Sequence, residues 1–424
     1  MIGLRPCNDM VDHVQRLVAD HFPHSREELV LGDRPLSRLC ELHGTPLFLY
    51  CGEIASAHLA RLRSALESFD VFYSVKANPN SAWLRYFVKN GCGLSVATEG
   101  ELNLALGAGC PPERIILAGA GKTESELWSG VKAKVAEIHV ESLEEIASLE
   151  RIAGLENQSV KVVLRLNPGE ISKARDGQFT IEKRPAAYGF DEEDVQGALK
   201  QLAHCKHLVF WGIHTYFGTQ HLDSKAFLSA YRCTFALACR VSQWAGAPLQ
   251  TLDLGGGFGV PYYPEDQPFD IEGFGSQLGP YLAELRDQSN FKSVRLCVEP
   301  GRYLVAEAGI YVTKVIGIKT SYGKKFVIVD GGVHHHLAAA GRLGGIVRNN
   351  FPIAVGNRMT EANQEVVSVT GRQCSAFDTL ARNVALPQVS VGDPLVFFQS
   401  GAYTLTVSPQ SFRSHPKAAE ILLE

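Results

Sequence analysis

The spacing of apolar positions changes twice along the chain, and the changes divide it into three stretches. Up to about residue 45, helical spacing over Met10-Val11-Asp12-His13-Val14-Gln15-Arg16-Leu17-Val18 is followed by a short apolar segment, Glu28-Leu29-Val30-Leu31-Gly32. A second amphipathic piece around residues 36–42 leads into the strand-like Pro46-Leu47-Phe48-Leu49-Tyr50. From there to about residue 300, short β-branched runs alternate with helical patterns. The runs fall at 71–75, 94–97, 115–118, 137–141, 160–166, 209–216, 251–254 and 294–298, and helical spacing is clearest over 99–108, 124–135 and 226–244. Eight strands alternating with helices predict an α/β fold, a TIM (β/α)8 barrel, over residues 46–302. After Arg302 the texture becomes short β-rich runs at 309–319, 325–329, 365–370 and 393–398, with Gly and Pro between them. This predicts an all-β domain over 303–424, to which the segment 1–45 contributes.

Composition narrows the class of protein. At 424 residues, with 45% hydrophobic residues and a formal charge of -4, the chain can build two cores and offers no strongly basic surface for nucleic acid. No apolar run approaches the roughly eighteen residues of a membrane span, and no charged region precedes an apolar stretch at the N-terminus, so a cytoplasmic protein is expected. The ten cysteines show neither a CxxC pair nor zinc spacing and read as reduced thiols.

Chemistry enters at Val71-Phe72-Tyr73-Ser74-Val75-Lys76-Ala77-Asn78-Pro79-Asn80, a buried strand that delivers Lys76 at its carboxyl end. The carboxyl ends of the strands form the functional face of such a barrel, and an amine partly shielded there can lose its proton and attack a carbonyl. Most lysines at strand ends are solvated surface cations, so the position alone decides nothing.

Four separated motifs decide it. Tyr73-Ser74-Val75-Lys76-Ala77-Asn78, Gly255-Gly256-Gly257-Phe258-Gly259-Val260, Glu299-Pro300-Gly301-Arg302 and Gly401-Ala402-Tyr403 occur in that order. Together they resemble the fold-type III pyridoxal-phosphate decarboxylases, the family of the ornithine, arginine and diaminopimelate decarboxylases, from about Pro46 to the C-terminus. The resemblance implies an alanine-racemase-like barrel with a C-terminal β domain. It also implies pyridoxal 5'-phosphate bound to Lys76 as a Schiff base, and a homodimer with shared active sites.

Carried over motif by motif, the resemblance makes Glu299 the carboxylate beside the pyridine nitrogen, which stabilises its protonated form. It places Gly301, Arg302 and Tyr403 near the phosphate and Arg165 near the cofactor. The glycines Gly255, Gly256 and Gly257 follow the seventh strand, where barrels of this class bind phosphate through unobstructed backbone amides; a tight turn would equally call for glycine.

Two departures from the family pattern bear on specificity. Where the family has His-x-His-x-Gly-Ser-Gln, this chain has His214-Thr215-Tyr216-Phe217-Gly218-Thr219-Gln220. Tyr216 then takes the ring-stacking position without a histidine's charge, and Thr219 keeps the hydroxyl placed against the phosphate. In Gly371-Arg372-Gln373-Cys374-Ser375-Ala376-Phe377-Asp378, Cys374 matches the cysteine that a partner subunit supplies to protonate the substrate carbon. The next residue, an acid that pairs with the distal ammonium in the ornithine and diaminopimelate enzymes, is Ser375. Asp330 in Val329-Asp330-Gly331-Gly332 matches a further family aspartate near the substrate.

The Tyr216 replacement, the run through His334-His335-His336 and the ending Ser408-Pro409-Gln410-Ser411-Phe412-Arg413 are similar to a branch of the family serving secondary metabolism. That branch includes decarboxylases of butirosin and staphyloferrin B biosynthesis, which act on carrier-protein-bound or citryl-linked amino acids. The expected activity is therefore decarboxylation of an amino acid or its conjugate in antibiotic or siderophore-like biosynthesis, on a small-molecule or acyl-carrier-protein-linked substrate. Decarboxylation of diaminopimelate or another free basic amino acid, and a catalytically silent pyridoxal-phosphate-binding homologue, stand as alternatives. A racemase of this fold is disfavoured by Cys374 and Glu299. Three adjacent histidines on a strand alternate faces and do not converge on one ion, so no metal is expected.

Overall fold

A computed structural model describes residues 8–173, 179–341 and 350–424. They form two compact units: Leu59–Gly259 with Pro268–Gly301, and the described residues of Met1–His58 with Val260–Gln267 and Arg302–Glu424.

In the first unit eight strands close a parallel barrel: β1 (Phe69–Ser74), β2 (Gly93–Val96), β3 (Ile115–Ala118), β4 (Glu137–Val140), β5 (Val160–Leu166), β6 (Leu208–Thr215), β7 (Thr251–Asp253) and β8 (Arg295–Val298). β8 returns to β1, with Leu296 opposite Phe69 and Val298 opposite Val71. The strands lie where the sequence predicts them, to within two residues, because parallel strands buried on both faces read as uninterrupted apolar runs. Most of the helices between them begin at side-chain caps, Val195–His204 being an exception. Thr98 accepts from the Glu101 N–H, Thr123 and Glu126 form a reciprocal capping box, and Asp223 accepts from the Lys225 and Ala226 N–H groups. After β5 the chain makes an antiparallel hairpin, Glu170–Lys173 with Phe179–Glu182, which the alternation did not anticipate.

The barrel interior carries a polar network beside a small apolar cluster of Phe72, Ile116 and Cys297. Thr251 on β7 donates through Oγ1 to Glu137 Oε1 on β4 at 2.7 Å, and β4 and β7 are not neighbours, so the bond crosses the interior. Arg295 on β8 bonds the same Glu137 oxygen. One step toward the carboxyl ends, His139, Asp253 and Cys297 are each fully buried.

The second unit is sheet-rich. Gly309–Ser321 pairs antiparallel with Lys324–Val329, Pro394–Phe397 and Leu47–Cys51. Lys324–Val329 continues through Glu365–Thr370 to Thr379–Leu386. Leu47–Cys51, expected inside the barrel region, belongs here: it lies between Gly309–Ser321 and the C-terminal strand Ala419–Leu423. Its apolar pattern suits either environment, and only pairing with distant strands decides between them. Among the described residues no helix is long and apolar enough to cross a membrane.

Candidate active site at the carboxyl end of the barrel

β1 ends at Ser74, and Lys76 occupies a single 3-10 turn, Val75–Ala77, just beyond it. Val75 and Ala77 are buried and clamp the turn, while the Lys76 side chain is exposed. Two bonds fix the position: the Ser74 N–H donates to the Pro300 carbonyl at 3.1 Å, and Tyr73 Oη donates to the Asn78 carbonyl at 3.0 Å. Lys76 Nζ then stands 5.7 Å from the centroid of the Tyr216 ring, within cation–π range. Glu101, at the start of the helix after β2, adds a carboxyl that burial raises above its ordinary range, an effect opposed by the Ala97 N–H and the Lys76 ammonium.

Glu299 follows β8. Its side chain is 11% exposed, Oε2 lies 3.6 Å from His214 Nε2, and Oε1 has no hydrogen-bond partner among the described residues. Behind it, His214 Nδ1 and His139 Nδ1 are 3.0 Å apart, so one donates and the other accepts; His139 Nε2 lies 3.6 Å from Glu137 Oε2. A line of titratable groups therefore runs from Glu299 to Glu137 on the barrel floor. Burial, reinforced by His139 and the nearby cations Arg165, Lys76 and Lys122, drives the His214 imidazole well below its ordinary value. Burial and then the Glu299 charge push Asp253 well above the usual carboxylate range. Burial here favours the neutral form of the imidazole and of the acid alike.

The glycine run follows β7. A Cβ on Gly256 would stand 2.4 Å from the Glu299 carbonyl oxygen, and Gly257 has φ +110°, so neither position accepts a side chain. The run is stitched to its surroundings by Glu299 N–H to Gly255 O at 2.8 Å and His221 N–H to Gly257 O at 3.0 Å. The second bond holds the loop that carries exposed Thr219 against the glycines. The Gly256 and Gly257 N–H groups take no partner among the described residues. Gly301 is equally confined, because a Cβ there would lie 2.8 Å from Ala77 Cβ. A pyridoxal phosphate fits this arrangement: an exposed amine, a nearly buried carboxylate with an orphaned oxygen, and open backbone amides in a cradle with no room for side chains.

Arg165 donates through Nη1 to Glu141 Oε1 at 2.8 Å and lies 5.0 Å from the Tyr188 ring, while Glu141 Oε2 accepts from the Gly189 N–H at 2.9 Å. The barrel unit therefore brings Lys76, Tyr216, Glu299 and the glycine run to one end. His139, Asp253, Glu101 and Glu141 escaped the sequence reading, because their meaning depends on strands that pair across the barrel.

The remaining candidates lie in the sheet-rich unit. The Arg302 guanidinium sits 4.7 Å over the Tyr403 ring and donates through Nη1 to Tyr262 Oη at 2.8 Å. Cys374 is exposed, with φ +51°, and Ser375 is half-buried. Asp330 is fully engaged: Oδ2 accepts from Thr45 Oγ1 at 2.5 Å, and Oδ1 accepts from Thr313 Oγ1 at 2.6 Å and the Lys314 N–H at 2.8 Å. Asp378 likewise accepts from the Val333 and Gln373 N–H groups at 2.8 and 2.6 Å, and burial raises its carboxyl. His335 donates through Nε2 to the Pro416 carbonyl, and His336 uses Nε2 on Ser400 Oγ while Nδ1 accepts from the Ala339 N–H.

Known proteins share this architecture. Residues 52–306 match the family model described as pyridoxal-dependent decarboxylase, pyridoxal binding domain. An L-glutamyl acyl-carrier-protein decarboxylase of Niallia circulans is 36% identical over 92% of both chains. A diaminopimelate decarboxylase of Aquifex aeolicus is 30% identical over 94% of this chain and 91% of its own. Among solved structures, the diaminopimelate decarboxylase of M. jannaschii in co-complex with L-lysine superposes with a TM-score of 0.84 at 26% identity, covering 94% of this chain and 92% of that one. The chain belongs to the pyridoxal-dependent decarboxylase family and is a pyridoxal-phosphate-dependent carboxy-lyase.

Proposed function

We propose that this decarboxylase removes the α-carboxylate of an amino acid presented as a conjugate, of the kind exemplified by a glutamyl group on an acyl-carrier protein, in secondary-metabolite biosynthesis. The observation that carries the reading is that Asp330 and Asp378 already accept hydrogen bonds within their own unit. Ser375 stands where a partner for a distal ammonium would be. Burying an ammonium without a carboxylate costs about 1–3 kcal/mol or more. Exposed Arg372 on the same loop adds positive charge, which favours an acidic or anionic substrate.

When bound, pyridoxal phosphate supplies an electron sink for the pair released as carbon dioxide leaves. Lys76 would hold the cofactor through Nζ. Glu299 would accept a hydrogen bond from the protonated pyridine nitrogen and stabilise its charge, with the His214 imidazole behind it. The glycine run Gly255–Gly257 would hold the phosphate through the Gly256 and Gly257 amides, the Gly255 N–H being spent on Asp253 Oδ1 at 2.8 Å, with Gly301, Thr219, Arg302 and Tyr403 beside them; Arg165 would orient the cofactor and Tyr216 would cover its ring. Cys374 returns a proton to the substrate carbon from the neighbouring subunit of a homodimer, and Ser375 and Asp330 line the substrate side. A stable, fully active monomer in sedimentation would sink the shared site.

The test is carbon dioxide release by the cofactor-loaded enzyme on free diaminopimelate, ornithine, lysine, arginine and glutamate against carrier-bound glutamate and citryl conjugates. Turnover confined to a conjugate supports the proposal. Fast turnover of free diaminopimelate, the substrate named for the 30% identical Aquifex relative, would overturn it and give Asp330 the ammonium-binding role.

A further inference from the structure

The sheet-rich unit buries a second polar cluster that decarboxylation does not use. His21 ends the helix Asn8–His21, His58 lies on the helix Gly52–Ala65, and Glu307 sits between the short helix Arg302–Val305 and the strand Gly309–Ser321. One ligand atom from each lies within 4.8 Å of the others. His58 Nε2 is 3.1 Å from Glu307 Oε2, and His21 Nε2 is 3.8 Å from Glu307 Oε1.

Well-directed hydrogen bonds account for little of this arrangement, although both imidazoles act on Glu307 and lower its carboxyl against the effect of burial. His58 is 7% exposed, yet neither of its ring nitrogens has a hydrogen-bond partner among the described residues: the contact to Glu307 is short but not directed along an N–H axis. Leaving such a group unsatisfied costs about 1–3 kcal/mol. Ligands of one ion behave in this way, because their lone pairs aim at a common point rather than at each other. A tetrahedral ion with bonds of about 2.0–2.2 Å separates its ligand atoms by roughly 3.3 Å, the spacing approached here. Gln399 Nε2, fixed on the Pro261 carbonyl at 2.8 Å, reaches Glu307 Oε1 at 3.4 Å and holds the carboxylate in place. A buried carboxylate also needs a positive partner, which a divalent ion would supply.

We propose that His21, His58 and Glu307 form a site for a d-block divalent cation of the Zn2+ class, with a water completing four-coordination. The site ties together segments near residues 21, 58 and 307, whose separation in sequence leaves no motif to read; the sequence reading accordingly expected no metal. Two imidazoles and a carboxylate suit Zn2+ better than Mg2+ or Ca2+, which prefer all-oxygen shells.

The test uses the full-length holoenzyme, stripped by chelator and titrated with Zn2+ against a chromophoric competitor. One equivalent per chain is expected, weakened by about 100-fold in His58→Ala and Glu307→Gln. His21→Ala, at a half-buried helix end, provides a variant less exposed to folding failure. On the wild type, Co2+ substitution followed by X-ray absorption should give a nitrogen and oxygen shell with two imidazoles, whether or not the variants fold. Less than stoichiometric Zn2+, binding unchanged in all three variants, or a sulfur shell at about 2.3 Å would overturn the proposal.

Discussion

Two of the buried histidine groups among the described residues, one in each unit, differ in their partners. In the barrel, His214 and His139 share a proton in a line that ends on a carboxylate at each side, Glu299 and Glu137. In the sheet-rich unit, His335 and His336 spend their ring nitrogens on a phenol, a carbonyl, a hydroxyl and a backbone N–H. The first arrangement sets two hydrogen-bonded rings between two carboxylates. The second completes a core in which His336 packs 5.0 Å from Phe351 and 5.9 Å from Phe397. Histidine density therefore does not mark the site; a titratable line ending at an orphaned oxygen does.

The comparison can be broken from either side. Lys76→Ala, at the open end of the barrel line, should lower kcat by about a thousandfold or more, measured as carbon dioxide release at saturating cofactor. Glu299→Gln keeps the shape but removes the charge at the orphaned oxygen; kcat should fall by about 100–1000-fold, with a changed cofactor absorption spectrum. His139→Phe leaves His214 Nδ1 without its partner and should cost about 1–3 kcal/mol in denaturant unfolding, with a smaller loss of kcat than Glu299→Gln.

The smallest effect belongs to the β unit. His336→Phe should leave kcat within twofold or so and cost about 1 kcal/mol at neutral pH. It should also alter the response to acid. Burial lowers the His336 imidazole from 6.5 to about 3, so below pH 6.5 the unfolded chain takes up a proton that the folded chain refuses. The stability present above pH 6.5 is then lost progressively as pH falls toward 3, and His336→Phe should flatten that part of the Tm–pH curve. An unchanged slope would mean that the imidazole is not held neutral.

The barrel was legible because its evidence is local. Strands such as Ile115–Ala118 are short, apolar and buried on both faces, and helices such as Glu124–Ala133 begin at a capping box written in the sequence. The sheet-rich unit was legible only in part. Thr379–Leu386 has an irregular burial pattern with shifts in register, and Leu47–Cys51 finds its partners only across more than half the chain. The site divides in the same way. Lys76, Glu299 and the glycine run announce themselves in contiguous motifs. The contact between His139 and His214, and the engagement of Asp330 by Thr45, are products of folding that no spacing encodes.

The account rests on Lys76 being the amine that holds the cofactor. The most direct test is borohydride reduction of the pyridoxal-phosphate-loaded enzyme followed by peptide mass mapping. The account predicts a phosphopyridoxyl mass on the peptide containing Lys76, and its loss in Lys76→Ala. The same mass on another lysine, such as Lys122, with the Lys76 peptide unmodified, would contradict it.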